Sequence, residues 1–118
     1  MATRLRLVTG LAVTAAALFS GNALADIDAS ELYKLRCSAC HGVNGEGTDS
    51  TLGFGPALKG NPLVMNAPAP ALIQIIRHGR SGERRLYDKG YPNMPAFGFE
   101  VVPDVEALVA YLKGGLQK

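Results

Sequence analysis

The chain has 118 residues, with 12 lysines and arginines against 10 acidic side chains and a formal charge of +2. That length allows a single domain, and so slight a basic excess excludes nucleic-acid binding, which calls for a strongly basic surface. There is no tryptophan, and few aromatics of any kind, a meagre stock for the core of so small a fold.

Arg4 and Arg6 precede a run from Leu7 to Phe19 that is apolar or small throughout, and Ala23-Leu24-Ala25 supplies a small-x-small cleavage pattern. This predicts a secretory signal peptide over 1–25, removed to leave one domain over 26–118. An uncleaved anchor is the alternative, but a spanning helix wants about 20 apolar residues, and this run ends after 13, at Ser20-Gly21-Asn22. The arginines are not adjacent, so export is expected through the route for unfolded chains, to the periplasm, without stable membrane insertion afterwards. Loss of Arg4 and Arg6 leaves ten basic and ten acidic side chains, so the precursor's positive charge belongs to export.

A helix is expected from Asp26 to Arg36, with Ser30 as N-cap and Leu32, Tyr33 and Leu35 giving apolar contacts. It runs directly into Cys37-Ser38-Ala39-Cys40-His41. Cys-x-x-Cys-His is the attachment pattern of c-type haem. Two thiols at this spacing can add across the two vinyl groups of one porphyrin, and the histidine that follows sits beneath the iron as proximal ligand. A thioredoxin-like redox pair needs no following histidine, and a structural zinc site wants two further ligands. No other cysteine exists, and the only other histidine is His78. One covalent haem c would also supply the missing core as a large apolar plate. With both thiols committed, no disulfide is expected.

From Gly42 to Gly60 the sequence turns glycine-rich, suiting a loop wrapped closely on something flat, with Phe54, Pro56 and Leu58 packed along it; the alternative is a flexible linker. Pro70 suits the first turn of a helix that continues through Leu72, Ile73, Ile75 and Ile76 to a stop at Gly79. Arg80 to Asn93 is polar, with Leu86, Tyr87 and Tyr91 interspersed, and reads as a long loop that folds back. A last helix is expected from Asp104 to Lys113, between Pro103 and Gly114-Gly115, with Val105, Leu108, Val109 and Leu112 on one face. No segment alternates as a strand would. The expectation is an all-α domain with long loops around one cofactor.

The second axial position on the iron decides between carrying electrons and binding substrates. Met94, Met65 and His78 are the candidates. Pro95 stiffens the chain just after Met94 and limits how far its sulfur can wander, and a thioether raises the potential. Met65 lies in an apolar stretch, where core filling is the simpler role. His78 ends a helix beside Arg77 and Arg80, where a solvated cation suits the helix dipole.

From Ser30 to Leu112 the chain resembles class I cytochromes c, the small monohaem electron carriers. Tyr33, four residues before Cys37, stands where that family's first helix carries an aromatic that packs on its last helix. Ser30 stands where the family usually has glycine, at the crossing of those helices. Gly55-Pro56-Ala57-Leu58 is similar to the loop whose proline carbonyl accepts the Nδ1–H of the proximal histidine, which would make Pro56 the group that fixes the tautomer of His41. Met94-Pro95 is similar to the axial Met-Pro pair, and Leu108 with Tyr111-Leu112 to the final-helix contact surface. The resemblance implies a small cytochrome c fold, with N- and C-terminal helices crossing and His41 and Met94 on the iron. Fourteen residues from Arg80 to Asn93 separate Gly79 from Met94, more than in many relatives. Gly-Arg-Ser-Gly followed by Tyr-Pro-Asn-Met-Pro-Ala-Phe-Gly is similar to cytochromes that serve periplasmic dehydrogenases.

Arg77, Arg80, Arg84, Arg85 and Lys89 cluster between the helix that stops at Gly79 and the Met94 segment, while acidic residues gather towards the two ends. If that segment borders the haem edge, the cluster would steer an acidic redox partner; otherwise it is a solvated loop with an arginine on a propionate. The function implied is one-electron transfer, from a dehydrogenase or the bc1 complex to an oxidase or reductase, with no catalysis of its own. A peroxidase or sulfur-compound oxidoreductase, or a gas or redox sensor, would need a vacant or displaceable sixth ligand.

Overall fold

In the computed structural model the described residues are Gly10, 27–48, 55–82 and 92–118. The expected signal peptide over 1–25 lies outside them, Gly10 excepted, as do Phe54, Arg84, Arg85, Leu86, Tyr87, Lys89 and Tyr91. Among the described residues the helices are, in order, α1 (Ala29–Arg36), α2 (Ser38–His41), α3 (Pro62–Asn66), α4 (Ala69–His78) and α5 (Val105–Lys113), then a 3-10 turn at Gly115–Gln117. Among the described residues the only β pairing is one isolated bridge between Arg80 and Met94, so the fold is all-α. No helix among them is long and apolar enough to cross a membrane.

The first helix starts later than expected and on a different cap. Asp28 accepts from the Ser30 and Glu31 amides at 2.8 and 3.1 Å, and the Ser30 hydroxyl turns back onto the same carboxylate at 2.6 Å. A charged acceptor satisfies two orphan amides at once and suits the positive end of the helix dipole, so aspartate displaces serine as the cap. These bonds, the Ser30 hydroxyl first, hold the Asp28 carboxyl below its usual range. Leu35, expected inside, is 60% exposed. The buried stripe of α1 centres between Leu32 and Tyr33, and at 100° per residue Leu35 points about 110° away from it.

The last helix follows its apolar spacing. Val105, Leu108, Val109 and Leu112 are all buried, and Asp104 caps it by accepting from the Ala107 amide at 2.9 Å. Each such side chain contributes roughly 1.5–3 kcal/mol of burial. α5 touches α1, α3, α4 and the terminal turn, which makes it the strut of the molecule. Against α1, the Tyr33 and Tyr111 rings lie 5.8 Å apart and tilted by 55°. Tyr33 is fully buried, and its hydroxyl donates to the Gly42 carbonyl at 2.7 Å. Burial raises its pKa far above the ordinary range, so the hydroxyl is a permanent donor.

One further helix, α3, has too few residues for apolar periodicity to announce it. Asn61 accepts from the Leu63 amide at 2.9 Å and Pro62 opens the first turn of α3, the cap-then-proline signature of a helix start. Val64 is its buried residue, and Met65, expected as core filler, is 52% exposed. Lys113 of α5 reaches the Val64 and Met65 carbonyls at 3.1 and 3.4 Å and also donates to the Ala67 carbonyl, a cation on the negative end of α3. Gln117 likewise donates to the Leu58 carbonyl at 3.0 Å and accepts from the Gly60 amide at 2.7 Å. The described parts of the glycine-rich loop are thus packed, not a free linker.

Tyr33→Phe keeps the ring and removes the donor to Gly42, so it should lower stability by about 1–3 kcal/mol, read as a lower urea midpoint at unchanged slope. The lowered pKa of Asp28 gives a contribution present above the ordinary value of 3.8 and lost as pH falls through the lower folded value. Asp28→Asn, which can still cap, should therefore lose less stability than the parent between neutral and strongly acidic urea melts.

Candidate functional site

Cys37 ends α1, with its amide on the Tyr33 carbonyl at 2.8 Å, and at the same time opens the short turn α2. The Cys40 and His41 amides both return to the Cys37 carbonyl, at 3.2 and 2.9 Å. One helical turn therefore sets Cys37, Cys40 and His41 at i, i+3 and i+4, on a common face. The Ser38 hydroxyl donates to the Lys34 carbonyl at 2.6 Å, tying this turn back to α1.

All three side chains line one open cleft, together with Met94, Gly55 and Pro56. Its walls are otherwise mainly aliphatic and aromatic: Leu58, Leu72, Ile75, Ile76 and Phe97 stand along them. The cleft opens to solvent along one side, and a concave, mainly apolar lining with a few convergent polar groups is what a flat cofactor needs. Met65 and His78 do not line it. His78 is exposed at the end of α4, the solvated position expected of it.

The His41 ring is held from one side. Its Nδ1 lies 2.8 Å from the Pro56 carbonyl oxygen. A carbonyl only accepts, so Nδ1 carries the proton and Nε2 keeps the free lone pair. Burial lowers the His41 pKa against the opposing pull of that hydrogen bond, favouring the neutral imidazole that a metal requires. Burial also pushes the Cys37 thiol up to about 11, with Cys40 adding to the shift.

Behind the ring, backbone comes very close. A Cβ built on Gly55 would stand 2.6 Å from the Cys40 carbonyl and 3.1 Å from His41 Nδ1, so only glycine fits. Thr48 donates its hydroxyl to the Cys40 carbonyl at 3.0 Å and accepts from the Gly55 amide at 3.0 Å. No local pattern marks this role, because it depends on the loop returning.

Met94 enters the cleft from the far end of the sequence. Its amide and carbonyl both pair with Arg80, each bond 3.0 Å long. The excursion expected from Arg80 to Asn93 is closed at its base by that pair. Gly79 stops α4 at a φ of 69°, a left-handed conformation that favours glycine, and a Cβ there would collide with the Met94 carbonyl. Arg77, expected in the basic ring at the working edge, is half-buried and donates to the Phe97 and Val102 carbonyls at 3.2 and 2.7 Å. It is committed to the backbone because these two carbonyls lie within its reach. Arg80 lines the cleft, whereas Arg84, Arg85 and Lys89 lie outside the described residues.

The donor set fits the group that the motif implies. Two thiols, one imidazole with a free Nε2 and one thioether line a mainly apolar cleft. Among the described residues no group of three or more His, Cys, Asp or Glu side chains could hold a bare metal ion.

Comparison with known proteins bears on the family and the fold. Among solved structures, the c-type cytochrome XoxG from Methylobacterium extorquens AM1 matches with a TM-score of 0.50 at 21% identity. The match covers 76% of this chain and 51% of that one, so the chain spans about half the length of that cytochrome; the likeness is one of fold. No curated protein matches. The family model for cytochrome c matches residues 27–115, a span that takes in the cysteine turn, the Pro56 loop, Met94 and α5. The chain belongs to the cytochrome c family.

Proposed function

We propose that the chain is an exported, periplasmic one-electron carrier with a single haem c, tethered through Cys37 and Cys40 and held at the iron by His41 and Met94. The observation that carries the reading is the convergence on one cleft of a cysteine turn, an imidazole with its Nε2 left free, and a thioether from a distant segment. Family membership supports electron transfer in place of catalysis. The arginines at 4 and 6 with the apolar run behind them support export.

Haem iron, when bound, supplies the ferric–ferrous couple. The protein's part is to position, shield and tune. Cys37 and Cys40 would tether the haem covalently to the α1–α2 junction. His41 presents Nε2, because the Pro56 carbonyl accepts the hydrogen bond from Nδ1–H and settles the tautomer. Met94 offers a neutral, soft sulfur that favours the reduced state and raises the potential. The apolar walls lower the local dielectric, which disfavours the extra charge of ferric iron and adds to that rise. Electrons would enter and leave through a redox protein partner, from a dehydrogenase or the bc1 complex to an oxidase or reductase.

Mass spectrometry of the exported protein should find the mature chain plus one tetrapyrrole, and Cys37→Ala with Cys40→Ala should abolish that addition. The ferric protein should show the far-red sulfur-to-iron band. Met94→Ala should lose the band and lower the potential. A parent protein already high-spin, and binding carbon monoxide when reduced, would point instead to an open sixth position and a haem enzyme. Gly55→Ala should crowd the Cys40 carbonyl and the His41 ring, costing about 1–3 kcal/mol, seen as a lower urea midpoint and a smaller yield of haem-loaded protein.

A further inference from the structure

The chain that follows Met94 lies along the end of α4 and is fastened there at several points. The Phe97 amide donates to the Ile76 carbonyl at 2.9 Å, and Arg80 pairs in both directions with Met94. Arg77 Nη1 then reaches the Phe97 carbonyl at 3.2 Å and the Val102 carbonyl at 2.7 Å. The Phe99 ring, itself 70% exposed, lies over the guanidinium at 5.9 Å, at the distance of a cation–π contact. One guanidinium nitrogen thus bridges both ends of the turn that leads from the Met94 segment into α5.

We infer that Arg77 is a positioning residue for the Met94 thioether, holding the Met94–Val102 segment on α4 and so keeping the sixth position closed to other ligands. The inference rests on Met94 being the axial ligand, as proposed above. Pro95 stiffens the chain beside the sulfur, and the Arg80 and Ile76 bonds fix the backbone on either side of it. For the sulfur to withdraw, the segment must shift against α4, and the Arg77 bonds oppose that shift. An outside ligand's apparent affinity is its intrinsic affinity reduced by the fraction of molecules open. A hydrogen bond to a charged group is worth about 1.5–3 kcal/mol, so its loss should raise the open fraction roughly ten- to hundredfold.

The test is imidazole titration of the ferric holoprotein, followed at the far-red band. Arg77→Ala should bind imidazole roughly ten- to hundredfold more tightly than the parent, and Arg77→Lys, which keeps a charged donor, should recover part of that difference. The Phe97 amide should exchange its hydrogen faster in Arg77→Ala under native conditions. Lys113→Ala, which releases a comparable set of carbonyls on α3, should lower the urea midpoint and leave imidazole affinity unchanged. Parent-like imidazole affinity and Phe97 exchange in Arg77→Ala would overturn the inference, whatever happened to overall stability. Should Arg77→Ala fail to fold, Arg77→Lys and Phe99→Ala, which weaken the same fastening less, should each bind imidazole more tightly than the parent by a smaller factor, and parent-like affinity in both would overturn the inference equally. A parent protein without the far-red band would remove Met94 as ligand, and this role of Arg77 with it. A parent with the band and an insensitive Arg77→Ala would remove the Arg77 role alone.

Discussion

The hydrogen bond between His41 Nδ1 and the Pro56 carbonyl joins two pieces of chain that have no periodic structure in common. One is the turn that carries both cysteines; the other is the return of the glycine-rich loop. Because the acceptor is a main-chain carbonyl, the ring's orientation is set by the loop's path and not by a mobile side chain. Thr48 reinforces the junction by bridging the Cys40 carbonyl and the Gly55 amide. The absence of a side chain at Gly55 then lets the strands of backbone close to contact. Fix these few atoms, and the direction of the free imidazole nitrogen is fixed too.

The rest of the fold can be understood as two supports around that junction. α5 buttresses the cysteine side through the Tyr33–Tyr111 contact and grips α3 and the loop through Lys113 and Gln117. α4 buttresses the methionine side, offering a carbonyl at Ile76, a cation at Arg77, a sharp stop at Gly79 and a backbone partner at Arg80. Leu72 and Ile76 are buried in the same core as α5 while also lining the cleft. Protein core and cleft wall are continuous, so a flat apolar cofactor seated there would extend the core of a chain that has no tryptophan.

Local chemistry was legible in the sequence wherever it depended on spacing. Cys37, Cys40 and His41 share a face because the helix repeat puts them there, and α5 follows its i, i+3, i+4, i+7 apolar pattern. α4 spans Ala69–His78 with its stop at Gly79, close to what Pro70 and the isoleucines promised. The misses have two physical origins. Some were competing local signals read the wrong way: Asp28 outranks Ser30 as a cap, and Asn61-Pro62 marks a helix too short for periodicity to reveal. Others depend on tertiary approach. Lys113, Gln117 and Arg77 act by reaching main-chain carbonyls far away in sequence, and Thr48 acts across a loop that must first return; no pattern of neighbours encodes either. A cluster of basic residues looked like one surface, yet Arg77 is committed to backbone.

The pair of backbone bonds between Arg80 and Met94 has a bearing on how this chain can diverge. Whatever length of polypeptide lies between those residues, its two exits are stitched together before the sulfur is reached. Lengthening a closed excursion is cheap, about 0.6 kcal/mol per doubling for a flexible one. The span is thus a natural graft point, where sequence can be added while the Arg80–Met94 pairing keeps the two ends together.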